Sequence, residues 1–91
     1  MDFKEFCTIA KKWKEQGIKL KIKDLNTNET DNVISYEVRE PNYQNGTIIS
    51  FEVKPSYAHM ICEKDKCDFK EIGENLYEVK VADNHYQIII E

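Results

Sequence analysis

Beyond Gly17 the chain alternates. Apolar residues recur at every second position in short segments, and Gly, Pro, Asn and Asp cut those segments apart. That period belongs to half-buried antiparallel strands and leaves little room for another fold. Ile18-Lys19-Leu20-Lys21-Ile22-Lys23 is the cleanest case, with three apolar side chains on one face and three lysines on the other. Strands are expected at about 18–24, 33–40, 47–54, 57–63, 66–72, 76–82 and 85–90, with a polar loop over 24–32.

The turns suggest a register. Asn45-Gly46 is a strong two-residue hairpin signal. Folding there sets Val38 opposite Val53, Arg39 opposite Glu52 and Glu37 opposite Lys54. Pro55-Ser56 then matches Ile49 with Cys62 and Phe51 with Met60, and a turn at Lys64-Asp65 brings Cys62 opposite Cys67. A loop over Gly73–Asn75 matches Phe69 with Val79, and Asp83-Asn84 matches Val81 with Tyr86 and Val79 with Ile88. Nearly all the apolar residues, Ile34 included, fall on one face. A slip of one residue would turn a strand over, so this agreement supports the pattern.

Ahead of the strands stands one helix, expected over 2–16. Asp2 can cap it, with Glu5 three positions on. Phe3, Phe6, Cys7, Ala10 and Trp13 share a face at helical spacing, and Gly17 supplies a left-handed stop. So short a helix is marginal alone and must bury its aromatic face. The expected fold is therefore α+β: one N-terminal helix packed on the concave face of a curved antiparallel meander of six to seven strands, all within a single domain, 1–91. In outline this resembles cystatin-like and other half-barrels; the residues carry no family motif.

Charge is uneven. The net charge is −4, yet residues 1–25 hold seven lysines against four acids. Nucleic acid could use Lys11, Lys12, Lys14, Lys19, Lys21 and Lys23, but no exposed aromatics interleave with them to stack bases. The N-terminus has no apolar leader and no stretch reaches membrane-spanning length, so a cytoplasmic chain with reduced thiols and no membrane partner is expected.

Catalytic and metal chemistry lack a set of residues. His59 and Cys62 lie an odd number of positions apart on a strand and leave opposite faces. Cys7, Cys62 and Cys67 point inward without a fourth ligand, so no metal and no cofactor is expected. Neither His59 nor His85 is placed to activate an inward thiol, so an enzyme is not the favoured reading. By elimination the expectation is a small protein-interaction module of inhibitor, immunity or adaptor type. Its partner would dock on an exposed hairpin tip at Tyr43, Gln44, Asn45 and Ile48, or on a strand edge. The alternatives are nucleic-acid binding through the lysines and a small ligand held between helix and sheet. The apolar last strand, if left open, would be an aggregation-prone edge. Either the first strand closes against it or two copies pair as a homodimer through residues 86–91, and the lysines of the first strand make that strand the expected free edge.

Overall fold

The computed structural model describes residues 1–39, 48–53, 59–63 and 66–91, the side chains of residues 39, 48, 59–61 and 63 excepted. Among the described residues one helix, α1 (Phe3–Glu15), is followed by seven strands: β1 (Leu20–Asp24), β2 (Thr30–Arg39), β3 (Ile48–Val53), β4 (His59–Glu63), β5 (Cys67–Gly73), β6 (Leu76–Val81) and β7 (Asn84–Ile90). All are antiparallel and form one curled sheet in the order β4-β3-β2-β1-β7-β6-β5. The α+β half-barrel with an N-terminal helix is the observed fold.

Both ends of α1 are closed by sequence-encoded caps. The Glu5 amide donates to Asp2 Oδ1 at 2.8 Å. At the other end the Ile18 amide donates to the Trp13 carbonyl (2.9 Å) and the Gly17 amide to the Lys14 carbonyl (3.1 Å), a Schellman closure with Gly17 at φ +67°. The buried face of α1 is Phe6, Cys7, Ala10 and Trp13. Phe6 is the hub: it stacks on Phe69 with centroids 4.1 Å apart and meets Trp13 and Tyr77 edge-on at 5.7 and 6.0 Å. Leu20, Ile22, Ile49, Phe51, Cys62, Val79 and Ile88 complete the core.

Several registers stand as expected. Ile49 pairs with Cys62, Phe51 with Met60, Phe69 with Val79, and Lys70 with Glu78. Others move by even steps, which slide a strand without turning it over. Val38 pairs with Ile49, not Val53, four residues from the expected register, and Arg39 pairs with Ile48 and Glu37 with Ser50. The observed ladder sets Tyr36 opposite Phe51, whose rings stack at 6.1 Å. Aromatic and aliphatic contact there outweighs two exposed charge pairs, each worth about 0.2–1 kcal/mol. Likewise Val79 pairs with Tyr86 and Val81 with Asn84, so β6 turns at Ala82–Asp83, and the shift places buried Tyr77 opposite buried Ile88.

Topology corrects three further expectations. β2 begins at Thr30, because Thr30, Asp31 and Asn32 pair with Lys23, Ile22 and Lys21. Leu25–Glu29 remains as a tight loop, held by Asn26 N–H donating to Asp24 Oδ1 at 2.8 Å. β4 and β5 are not neighbours in the strand order. They are its two ends, which the curl of the sheet brings toward each other across a seam. Finally, β7 lies between β1 and β6, with Leu20 opposite Ile90 and Leu76 opposite Ile89. The first strand thus closes against the last, one of the two expected arrangements. With both edges of β7 used within the chain none is left for a second copy, and β1 is central, not a free edge.

Candidate binding groove

The β1–β2 ladder is short. It ends at Lys21 opposite Asn32, after which β2 leaves β1 and pairs with β3. The departure is made by a bulge between Val33 and Ser35. A bulge adds a residue on one side of the ladder and re-aims the side chains beyond it. Here Val33 packs against the core and Tyr36 does too, although an odd number of positions separates them, and Ile34 is expelled to 59% exposure. The expectation that Ile34 points inward is overturned by that extra residue.

Where the two strands part, a groove of about 750 Å³ opens on the surface. Its apolar walls include Ile18, Val33, Ile34 and Tyr36, and its basic residues are Lys14, Lys19 and Lys21, with Glu91 as the acid. Tyr36 Oη donates to the Ile18 carbonyl at 2.6 Å, tying β2 to the segment that enters β1. Lys21 Nζ lies 3.1 Å from Glu91 Oε1, and Lys14 Nζ 3.9 Å from Glu37 Oε2. These are partly exposed pairs, each worth about 0–1 kcal/mol.

Three of the six lysines of the expected basic patch thus share one groove. Lys11 lines a smaller neighbouring one of about 290 Å³ with Ala10, Lys14 and Val38. Lys12 is exposed on the last turn of α1, and Lys23 pairs along β1 with Thr30 and Gln87; neither lines either groove. The expected hairpin-tip residues Tyr43, Gln44 and Asn45 lie outside the described residues; Ile48 opens β3 and its side chain is likewise outside. The His59 side chain is outside too, and His85 is half-buried on β7 opposite Lys80.

The cysteines gather inside. Cys7 and Cys62 are buried and Cys67 is half-buried, and all three are reduced thiols. The hydrogen bond between Cys62 and Cys67 pushes the Cys62 thiol far above its ordinary range, burial adds to this, and Cys7 lies close enough to contribute. A thiol so held stays protonated and, being fully buried, is slow to meet reagents from solution. Among the described residues, no three His, Cys, Asp or Glu side chains converge in a way that could hold a metal ion. Also among them, no helix is long and apolar enough to cross a membrane.

The groove was missed in the sequence because alternation was carried through Val33-Ile34. Two adjacent aliphatics in a strand cannot both face one core, and that doublet was the signal. Compared with known proteins, the chain matches no protein-family model, no curated protein and no solved structure.

Proposed function

We propose that the chain is a small protein-interaction module that docks an extended, acidic and apolar segment of a partner protein in the β1–β2 groove. The observation that carries this is Ile34, a large aliphatic side chain 59% exposed beside Lys14, Lys19 and Lys21. On a chain of net charge −4, three lysines against one glutamate on these walls make a locally basic surface. Apolar contact would supply affinity and the lysines orientation and on-rate. Nucleic acid fits less well, since the aromatic residue lining the groove, Tyr36, is half-buried with its hydroxyl tied to the Ile18 carbonyl and offers no exposed ring to stack a base.

The test places a photoreactive phenylalanine analogue at position 34 and identifies what it cross-links in an extract of the source cell. The expected product is a protein peptide rich in Asp, Glu and aliphatic residues. Its yield should fall with added salt and with Lys19→Glu and Lys21→Glu. Ile34→Asp, at a surface position, should leave stability within about 0.5 kcal/mol while abolishing capture. Recovery of nucleic acid, or capture lost only with Tyr43→Ala, would overturn the groove as the docking site.

A further inference from the structure

We propose that Cys62 and Cys67 are a site of reversible thiol oxidation, forming a disulfide that closes the seam of the half-barrel. The two thiols come from the two ends of the strand order, β4 and β5, yet only residues 63–66 separate them in the chain. Each occupies an apolar cross-strand setting: Cys62 stands opposite Ile49 and Cys67 opposite Val81. Both face one interior, Cys62 within the core and Cys67 packed against it, and a side-chain hydrogen bond joins them. Bringing hydrogen-bonded sulfurs to bonding distance needs only a small local movement, whereas cysteines on remote elements require the backbone to travel.

Exposure assigns the roles. Cys62 has no solvent-accessible surface, while Cys67 is half-buried, so an oxidant reaches Cys67 first. With a hydroperoxide as oxidant, the Cys67 thiolate attacks one peroxide oxygen. The O–O bond breaks, hydroxide leaves and takes up a proton as water, and Cys67 becomes a sulfenic acid. The Cys62 sulfur then displaces the hydroxyl group. An S–S bond forms as the S–O bond breaks, and the Cys62 proton departs with the hydroxyl as a second water. Two thiols are oxidised by two electrons and one peroxide is reduced. A dithiol reductant reverses the reaction by thiol–disulfide exchange. The product adds a covalent link between β4 and β5, the two ends of the strand order, and closes the short loop over 62–67. Cys7, on the helix, is the third thiol nearby and the internal competitor.

The experiment treats the native full chain with hydrogen peroxide, then blocks remaining thiols and maps the peptides by mass spectrometry without reductant. Cleavage after Lys64 and Lys66 separates the two cysteines, so their link joins two peptides. The expected result is a Cys62–Cys67 bridge, loss of two hydrogen atoms, Cys7 still a thiol, and full reversal by dithiothreitol. The oxidised protein should unfold at a higher temperature and show slower amide exchange at Cys62 and Cys67. Cys7→Ala should leave the bridge intact, and Cys67→Ser should leave Cys62 unmodified in the folded state. A bridge from Cys7 to either partner would overturn the proposal. So would oxidation of Cys67 to sulfinic acid with no bridge, or a bridge that appears only on unfolding.

Discussion

Gly17 and Ala82 both sit in the left-handed region, and only one of them is the residue that region favours. Gly17, at φ +67°, ends α1, and a Cβ there would meet nothing within 4 Å. Steric clash with neighbours is therefore absent, and Gly17→Ala should destabilise the protein through backbone strain alone, by about 1–2 kcal/mol in urea unfolding. An unchanged urea midpoint would mean that the Schellman closure is not formed. Ala82, at φ +53° in the β6–β7 turn, carries that strain already. Ala82→Gly should relieve it, offset in part by the larger entropy glycine loses, for a net gain of up to about 1 kcal/mol. A loss of stability would place the turn elsewhere, such as at Asp83-Asn84.

At the scale of elements, α1 acts as a wedge whose aromatic face determines how far the sheet can curl. Phe6 is fully buried at the centre of a cluster with Trp13, Phe69 and Tyr77. Phe6→Ala should cost about 3–5 kcal/mol, a large share of the roughly 5–15 kcal/mol that holds a domain of this size. Calorimetry should show a much lower unfolding temperature, and a fall of only a few degrees would mean that the cluster repacks. The wedge itself was legible, because Asp2, Gly17 and the spacing of Phe3, Phe6, Ala10 and Trp13 are local signals read within one helix. Strand faces were equally legible, Val33 and Ile34 at the β2 bulge excepted, since burial imposes a period of two. Registers were legible only modulo two: Tyr36 opposite Phe51 and Val38 opposite Ile49 satisfy the same alternation as the ladder built on Asn45-Gly46. Nothing local distinguishes such slips when the turn chemistry does not set the pairing. The groove was hidden for a different reason. It exists because β2 belongs to two ladders, with β1 and then β3, and a single-strand pattern does not encode that change of partner.

At the scale of the whole molecule, three phenols on three different strands couple stability to pH. Tyr36, Tyr77 and Tyr86 lie on β2, β6 and β7, and the fold holds each phenol above its ordinary value of 10.0. Burial is the leading cause in all three. Tyr77 is raised further by donating to Glu71 Oε2 at 2.9 Å and by that carboxylate's charge, and Tyr86 by the charge of Asp24. A group raised in the folded state contributes stability that is complete below the unfolded value and is lost as pH climbs through the folded one. Above pH 10 the unfolded chain has released these protons and the folded chain still holds them, so the unfolded state binds fewer protons and unfolding free energy falls with pH. Stability referred to these three groups should therefore be flat from neutral pH to about 10 and decline beyond it. Urea midpoints measured across that range test the slope, and phenolate absorbance tests its origin. Tyr36, Tyr77 and Tyr86 should ionise late and together with unfolding. Tyr36→Phe separates the two contributions. Losing the bond to the Ile18 carbonyl should cost about 1 kcal/mol at neutral pH, while removing one phenol should make the alkaline decline shallower. If the slope is unchanged in Tyr36→Phe, or all the phenols ionise near 10 in a protein that stays folded, the three hydroxyls are not held between the strands and the parting of β1 and β2 is more open than the Tyr36 tie implies.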